Sequence, residues 1–317
     1  MTLTELRYIV AVARERHFGR AAEACFVSQP TLSVAVKKLE DELGTPLFER
    51  SQSEVSVTAV GAEVVAQAQR VLEEAGLIKE LVKQHRDPLA GQLRVGVIYS
   101  IAPYLLPALV PRMIRTAPQM PLVIEENFTF RLLEMLKSGD IDVAILAEPF
   151  AEPGMLKQAL YDEPFLVALP AGHPWAARKA IAAADLKDET MLLLGSGHCL
   201  RDQVLQVCPE MMRFSSSSAE GIRKTFEGSS LETIRHMVAT GVGLTVLPAS
   251  AVPAQARKKD LIVYRPFVRP TPSRRVALAW RKSFTRGAAI EKLREGILAS
   301  GLNGATMLDD TRAEALH

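Results

Sequence analysis

The sequence lacks the features that define several classes of protein. Three cysteines in 317 residues are too few for the disulfide framework of a small secreted protein. The most apolar window, 95–110, is too short for a transmembrane helix and contains Pro103 and Pro107, so we expect no membrane partner. No charged segment followed by an apolar one opens the chain, so we expect no signal peptide and a cytoplasmic location, where thiols stay reduced.

Charge and motif searches exclude further classes. A net charge of +2 predicts no particular partner. The sequence contains no internal repeat, P-loop, zinc-ligand spacing or G-x-S-x-G elbow, so we expect no cofactor and no metal site. The hydrophobic content of 48% is ample for packed cores, and the length indicates two or three domains.

Two of the three cysteines lie in one short stretch, 195–209. Apolar residues follow the first cysteine at helical spacing: Leu200, Val204 and Val207. Cys199 would therefore stand near a helix start, with His198 before it and Arg201 two positions after it. Helix-start amides and a nearby cation favour a thiolate, which is the form that reacts with oxidants. The alternative is that Cys199 and Cys208 are both buried small hydrophobes.

The spacing of the two cysteines has a geometric consequence. A helix of nine residues is roughly 13 Å long, whereas a disulfide requires Cα atoms within about 7 Å. If Cys199 and Cys208 flank a helix, they cannot bond until that segment is rebuilt. Such a pair is a poor structural crosslink and a suitable two-state switch.

Residues 1–58 read as small helices followed by a wing. Ser28 is a suitable N-cap with Pro30 in the first turn, and Gly44 ends the third helix. A helix-turn-helix is indicated, whose third helix presents hydroxyls and lysines suited to DNA edges and phosphates. These 58 residues carry seven Lys/Arg and eight Asp/Glu, whereas DNA-binding modules are usually basic. The alternative is a small helical domain whose third helix has a solvated polar face.

The rest of the chain divides into three parts. An apolar stripe over 59–90 predicts a long linker and dimerisation helix. Strands and helices alternate over 91–300, which predicts parallel sheets in two subdomains, 91–162 plus 268–300 and 163–267, with a cleft between them. Ser100 and Thr129 follow the first two strands and are expected to face that cleft. Residues 301–317 are expected to form a flexible tail.

Several motifs resemble a known family. The N-terminal run contains Arg20-Ala21-Ala22, Ser28-Gln29-Pro30-Thr31-Leu32-Ser33 and Leu43-Gly44-Thr45-Pro46-Leu47-Phe48-Glu49-Arg50. This run resembles the winged helix of LysR-type transcriptional regulators. Gly197-His198-Cys199-Leu200-Arg201-Asp202, with Cys208 after it, is similar to the peroxide-sensing members of that family. The resemblance spans about residues 1–295.

The resemblance implies a fold and a mechanism. The fold is α/β: an N-terminal winged helix-turn-helix, a long linker helix, and a C-terminal two-subdomain regulatory domain like a periplasmic binding protein. A homotetramer, a dimer of dimers, would bind promoter DNA and engage RNA polymerase. Hydrogen peroxide would oxidise Cys199 to sulfenic acid, and Cys208 would resolve it into a disulfide.

The resemblance also implies site residues. The peroxide pocket would comprise Ser100, Thr129, His198, Asp202 and an arginine in 273–275, which we assign to Arg275. Position 100 is usually threonine in the family, so Ser100 departs from the pattern. For DNA, the family pattern assigns groove contacts to five residues and a phosphate contact to a sixth: Gln29, Pro30, Thr31, Ser33, Lys37 and Arg50.

Two other functions remain open from the sequence. One is a LysR-type regulator gated by a small metabolite in the cleft rather than by peroxide. The other is a thiol peroxidase, an enzyme that turns over peroxide, against which the DNA-binding segment argues. A periplasmic solute-binding protein is disfavoured because no signal peptide is expected.

Overall fold

The third N-terminal helix begins and ends at the residues that the sequence suggests as caps. The computed structural model describes residues 1–50, 55–84, 89–208, 225–228, 230–253, 260–308 and 314–315. Three helices open the chain: α1 (Leu3–Glu15), α2 (Phe18–Ala24) and α3 (Gln29–Leu43). Ser28 caps α3 through its side chain, and Gly44 ends α3 with a left-handed φ of 68°. The predicted helix-turn-helix is therefore present.

A two-stranded wing follows the third helix. Strands β1 (Phe48–Arg50) and β2 (Val55–Val57) pair antiparallel. The carboxylate of Glu40 on α3 accepts hydrogen bonds from the amides of Leu47 and Phe48, at 2.8 and 3.1 Å. Because these amides lie just before and at the start of β1, the bonds hold the wing against the end of α3.

The long helix α4 (Ala59–Gln84) packs partly against its own domain. Val65 and Ala68 are buried in the hydrophobic core of the three helices and the wing. Further along α4, Ile78 is 66% exposed. The apolar stripe thus begins inside the N-terminal domain and continues onto an exposed surface. This arrangement is typical of a helix that packs against a further helix. The chain divides into compact units at Met1–Asp87 and Pro88–His317.

Among the residues that the structure describes, the C-terminal unit contains one nine-stranded sheet, a short parallel strand pair and two hydrophobic cores. Its first elements are β3 (Leu93–Ile98), α5 (Ala102–Thr116), β4 (Leu122–Asn127), α6 (Thr129–Ser138), β5 (Val143–Ala147) and β6 (Met155–Pro170). Then come β7 (Met191–Leu194), α7 (Cys199–Val207), β8 (Thr225–Gly228), α8 (Leu231–Ala239) and β9 (Thr245–Pro248). The last are β10 (Ile262–Pro266), β11 (Ser273–Arg281), α9 (Gly287–Leu298), β12 (Thr306–Met307) and β13 (Glu314–Ala315).

Strand β6 belongs to both halves of this unit. Its first part pairs with β11, and residues 165–170 pair with β9 and β10. The first core packs around β3, β5, the start of β6 and β11, and the second packs around the end of β6, β7 and β9. The sequence of β6 therefore passes directly from one core to the other between Tyr161 and Phe165.

The strand directions differ from the expected all-parallel sheets. Strand β3 pairs parallel with β4 and β5, and β7 pairs parallel with β8. Strand β11 is antiparallel to both β5 and β6. Alternating helices and strands predict parallel neighbours only where each strand follows a crossover helix. Strand β6 runs from the first core into the second, and β11 returns to the first core, so β11 is antiparallel to both β5 and β6.

The expectation of a flexible tail at 301–317 is wrong for the part of that stretch that the structure describes. Strands β12 and β13 both pair antiparallel with β6. The amide of Leu308 donates to the carbonyl of Leu160 at 2.9 Å. Polar composition suggested a frayed end, but free backbone groups of β6 provide hydrogen-bond partners for it.

We predict that Gly61→Ala destabilises the N-terminal domain by about 2 kcal/mol or more. Gly61 lies in the first turn of α4, where a Cβ would stand 2.1 Å from the carbonyl oxygen of Leu47 and 2.9 Å from Thr58 Oγ1. Thermal and chemical unfolding of the full chain would measure the loss. Gly76→Ala is the matched control, because a Cβ at Gly76 meets nothing within 4 Å. It should raise stability by about 0.5–1 kcal/mol, and equal effects of the two changes would contradict the prediction.

Candidate peroxide site and DNA-binding surface

Helix α7 joins the two cysteines of the 195–209 stretch. Cys199 is its first residue, His198 is its N-cap, and Cys208 follows directly after it. Neither cysteine is joined in a disulfide. Cys199 is half-buried against the first core, and Cys208 is 2% exposed in the second core. The expected helix is present, and its two ends are anchored in different cores.

A small cavity lies at the start of α7. Its volume is about 10 Å³, close to that of one water-sized sphere. Drug-sized ligands need roughly 300–1,000 Å³, so only a molecule of very few atoms suits this cavity. Its lining combines the ends of β3 and β4 with the N-terminus of α7: Ile98, Tyr99, Ser100, Asn127, Phe128, Thr129, Gly197, His198 and Cys199.

Two hydroxyls in this cavity have different surroundings. Thr129 Oγ1 is buried at the first residue of α6 and has no hydrogen-bond partner within the described part of the chain. A buried hydroxyl in that condition costs about 1–3 kcal/mol unless a ligand or water satisfies it. Ser100 Oγ accepts a hydrogen bond of 2.9 Å from Arg274 Nη1, and Arg274 Nη2 donates to the Ser100 carbonyl at 3.2 Å. The cavity therefore has one unsatisfied hydroxyl and one that is held by a cation.

Arg274 is paired with a carboxylate that is equally buried. Both side chains are 0% exposed, and Arg274 Nη2 lies 2.7 Å from Glu163 Oε1. The other carboxylate oxygen of Glu163 accepts from the amide of Ser250 at 3.2 Å. Burial lowers the pKa of Arg274, but the charge of Glu163, with weaker contributions from Tyr161 and Cys199, shifts the pKa upward overall. Arg274 therefore remains a cation beside the cavity.

The assignment of Arg275 to the pocket is wrong. Arg274 and Arg275 are successive residues of β11, and they stand opposite Glu163 and Asp162 of β6. Successive residues of a strand point to opposite faces, so only one of the two arginines can face inward. The pair between Arg275 and Asp162 is on the outside, with side chains 47% and 34% exposed. The Arg275 guanidinium lowers the pKa of Asp162, mainly through a hydrogen bond.

Asp202 also lies outside the cavity. It is exposed in the first turn of α7 and is not among the residues that line the cavity. The neighbouring Arg201 donates to the carbonyl of Leu194 at 2.9 Å. A position three residues after Cys199 would share its helix face in an ideal case, but the first turn of α7 directs this carboxylate to solvent.

Aromatic rings cover one side of the cavity. The ring of His198 lies 4.8 Å from that of Phe128 and 5.7 Å from that of Tyr99, measured between centroids. Gly197 adopts a φ of +94°, and a Cβ there would lie 3.5 Å from the Phe128 ring. Glycine therefore lets the chain turn tightly into α7 beneath Phe128. His198 itself is 8% exposed.

The residues assigned to DNA lie on one helix and the wing. Gln29, Pro30, Thr31 and Lys37 are exposed on α3, and Ser33 is half-buried there. Strand β1 ends at Arg50, whose side chain lies outside the described residues. The third helix thus presents four of the six assigned side chains to solvent, as a helix that enters a DNA groove requires.

Comparisons with known proteins agree with this architecture. Residues 3–62 match the profile of the bacterial regulatory helix-turn-helix protein, lysR family, and residues 86–301 match the LysR substrate binding domain. A curated relative, the DNA-binding transcriptional dual regulator OxyR of Escherichia coli, is 42% identical over 299 residues, which cover 94% of this chain and 95% of the relative. The chain belongs to the LysR family, in its OxyR group.

Solved OxyR structures resemble this chain over almost its whole length. A full-length OxyR of Pseudomonas aeruginosa with a cysteine-to-aspartate substitution is 54% identical, with a TM-score of 0.78; 96% of this chain and 99% of that chain are covered. A cysteine mutant of Corynebacterium glutamicum OxyR, bound to H2O2, is 35% identical, with a TM-score of 0.62; 94% of this chain and 92% of that chain are covered. The α/β fold with a winged helix, a linker helix and a LysR regulatory domain is confirmed.

Sequence reasoning missed one residue of this OxyR-group site altogether. Glu163 lies in the middle of the long strand β6 and has no sequence motif around it. The sequence signal for Glu163 is the alternation of buried and outward-facing residues along β6. Tyr161, Glu163 and Phe165 share one buried face of that strand. A charged residue at a buried position of an apolar face indicates a buried partner. Among the described residues, no cluster of His, Cys, Asp and Glu could hold a metal ion, and no helix is long and apolar enough to cross a membrane.

We predict that Arg274→Ala lowers the free energy of unfolding by about 3–5 kcal/mol, because it leaves the buried carboxylate of Glu163 without its cation. Arg275→Ala is the matched control on the same strand. It removes an exposed ion pair and should cost at most about 1 kcal/mol. Denaturant unfolding of both reduced variants measures the difference. Similar losses in the two variants would contradict the assignment of Arg274 as the inner residue.

Proposed function

We propose that this chain is a hydrogen-peroxide-sensing transcription regulator whose reactive group is the Cys199 thiol. The observation that carries the proposal is the cavity at the start of α7. It brings Cys199 together with an unsatisfied buried hydroxyl, Thr129, and with Ser100, which Arg274 holds. The cavity is too small for most metabolites, and its polar groups suit a ligand that both donates and accepts hydrogen bonds. The OxyR relatives named above, one of them solved with H2O2 bound, support the same function.

The proposed chemistry begins with attack of the Cys199 thiolate on one peroxide oxygen. The O–O bond breaks, Cys199 becomes a sulfenic acid, and the released hydroxide takes up a proton to form water. Thr129 and Ser100 hydrogen-bond the peroxide, and His198 is placed to supply the proton. The Cys208 thiol then attacks the Cys199 sulfur, which forms the disulfide and releases a second water. Two thiols are oxidised and one peroxide is reduced to two waters.

Disulfide formation must rebuild α7. The helix of nine residues separates the cysteines by roughly 13 Å, about twice the Cα distance that a disulfide allows. Unwinding it breaks the hydrogen bond of 2.8 Å from Gln203 Nε2 to the carbonyl of Glu148. It also removes Leu200, Val204 and Cys208 from the second core, where all three are buried. Oxidation therefore changes the packing of the regulatory domain as well as the state of the sulfurs.

We further propose that this change reaches DNA through an oligomer. The exposed continuation of the α4 stripe, marked by Ile78, would pair two chains, and two such dimers would form a homotetramer on promoter DNA. Gln29, Pro30, Thr31, Ser33 and Lys37 would lie at the groove, with Arg50 on a phosphate. Repacking around α7 would shift the dimers, alter the DNA contacts and let RNA polymerase engage, which activates antioxidant genes. A regulator of promoter DNA acts in the cytoplasm of a bacterium.

The same thiol chemistry distinguishes a sensor from a thiol peroxidase. A sensor reacts once per chain and reacts again only after its disulfide has been reduced. We therefore propose that the chain is not an enzyme. With a thiol reductant present, a sensor should not sustain peroxide consumption at many turnovers per second. Sustained turnover at that rate would favour the peroxidase.

A regulator gated by a small molecule is the second candidate function. The observation that favours it is a cleft of about 410 Å³ at the C-terminal half of α7, lined by Gln203, Gln206, Pro149, Ser273 and Arg275 among others. Gln203 Oε1 is buried there without a hydrogen-bond partner among the described residues. A metabolite that donates a hydrogen bond would satisfy it. Promoter activation that persists in Cys199→Ser would favour this candidate.

We predict that one equivalent of peroxide converts the reduced chain to a form with a Cys199–Cys208 disulfide, two hydrogens lighter, as seen in peptide mass spectrometry. Cys208→Ser should stop at the sulfenic acid, which a dimedone-type reagent would trap, because no resolving thiol remains. Cys25→Ser is the control and should form the disulfide normally. Intact Cys199 and Cys208 thiols in the treated wild-type chain would exclude the mechanism.

We predict opposite effects of Thr129→Val on reactivity and stability. Loss of the hydroxyl removes a hydrogen bond to the peroxide as charge develops, so the rate of Cys199 oxidation should fall about tenfold to a hundredfold. Stability should rise by up to about 1 kcal/mol, because a methyl replaces a buried hydroxyl that has no described partner. Stopped-flow oxidation and denaturant unfolding measure the two quantities.

The control for this experiment is Thr116→Val, on the exposed end of α5. Its rate of oxidation should equal that of the wild-type chain. Alkylation of Cys199 by an uncharged reagent should be the same in all three proteins, which separates peroxide binding from access to the thiol. An unchanged oxidation rate in Thr129→Val would remove Thr129 from the proposed site.

A further inference from the structure

The recognition face of α3 is more apolar than its sequence suggests. Thr31 was expected to offer a hydroxyl to DNA, but Thr31 Oγ1 lies 2.8 Å from Ser28 Oγ, within hydrogen-bond distance. Ser28 is the N-cap and also accepts from the Thr31 amide at 3.4 Å. The threonine hydroxyl is therefore directed to the start of its own helix. Its methyl group occupies a different staggered position on Cβ and is left for the exposed side.

A second apolar group stands beside this methyl. Val34 is 69% exposed, three residues after Thr31 on the same face of α3. Pro30 precedes both and is exposed as well. These three side chains form a short apolar strip along the first half of α3, which we call the Pro30–Val34 strip. Lys37 and Lys38 follow at the next turn, both exposed, where cations can reach phosphates.

The chemistry of the major groove contains one apolar feature that matches such a strip. Thymine presents a 5-methyl group there, and the other three bases present hydrogen-bonding atoms in its place. Isolated exposed apolar residues are ordinary on protein surfaces. Here, however, the Thr31 methyl and Val34 lie at helical spacing on the face that carries the proposed groove contacts. An aliphatic group in that place cannot form a hydrogen bond with a base edge. It contributes favourable binding free energy only by packing against another apolar group.

We propose that Thr31 and Val34 form a thymine reader: the Thr31 methyl and the Val34 side chain pack against thymine 5-methyl groups and select T·A pairs at one or two positions of each half-site. This inference rests on the proposed function, because it requires α3 to enter the major groove. It assigns sequence selectivity to apolar contacts, with Gln29 and Lys37 left for base-edge and phosphate contacts.

The test uses reduced full-length protein and the tightest-binding duplex recovered by selection from a random-sequence DNA library. Each thymine of that duplex is replaced in turn by deoxyuridine, which removes only the 5-methyl group. Wild-type protein should lose affinity about fourfold at one or two positions in each half-site, the effect of exposing roughly one buried methyl. Binding is measured at one fixed salt concentration, since phosphate contacts depend on salt.

Two variants each remove one methyl group of the strip. One retains the shape of the side chain, and the other retains the hydroxyl that contacts the helix cap. Val34→Thr exchanges one methyl for a hydroxyl of similar size. Thr31→Ser keeps the hydroxyl that meets Ser28 and removes the methyl. Each variant should bind the thymine and uracil duplexes equally at its own position. Val123→Thr is the control, the same exchange at an exposed valine of the regulatory domain, and it should discriminate thymine from uracil as the wild-type chain does.

The outcomes separate this inference from the proposed function. Loss of the thymine preference in Val34→Thr and Thr31→Ser, each at a different position, supports the inference. Wild-type protein that binds all uracil duplexes as tightly as the thymine duplex overturns it while leaving DNA binding intact. A thymine preference that survives in both variants also overturns it. A chain that selects no sequence from the library overturns the proposed function itself.

Discussion

The buried pair between Arg274 and Glu163 is the constraint on which the sensing site depends. Two opposite charges without solvent are tolerated only when their hydrogen-bonding groups are satisfied. Here the guanidinium meets Glu163 and both oxygens of Ser100, and the carboxylate also accepts from Ser250. These bonds connect β6, β11 and the end of β3. The arrangement fixes a cation and a hydroxyl beside Cys199 with little freedom to move, which is what selective chemistry on a small ligand requires.

Helix α7, which the proposed oxidation would rebuild, packs against both hydrophobic cores. Its first residue packs on one core and the residue after its last turn packs in the other. Any reaction that joins these two ends must withdraw one of them from its core. Since burial of a single aliphatic side chain is worth about 1.5–3 kcal/mol, the oxidised state needs new contacts of similar size. In the proposed homotetramer, a subunit interface would supply such contacts, and this exchange would couple redox chemistry to assembly.

The success and failure of sequence reasoning have physical causes in particular residues. Caps and breakers act locally, so Ser28, Gly44 and the start of α7 at Cys199 were predictable. The inner arginine was not, because the face of Arg274 depends on register with β6, and that register shifts at a bulge between Val276 and Ala277. The assignment of Asp202, which rested on the family resemblance, was wrong because a motif match does not specify whether a side chain faces the cavity or the solvent. The prediction of a flexible C-terminal stretch was wrong because the strand that pairs with it, β6, lies about 150 positions earlier in the chain.

The length of β6 restricts how the regulatory domain can move. A single strand of 16 residues extends through both halves, paired with β11 along its first part and with β9 and β10 along its second. Bending the domain at this crossing would break ladder hydrogen bonds, each worth about 1 kcal/mol. Periplasmic binding proteins close around their ligands by a hinge motion. Here β6 stiffens the crossing between the two halves, so we expect the proposed oxidation to act through local refolding of α7 within a nearly fixed frame.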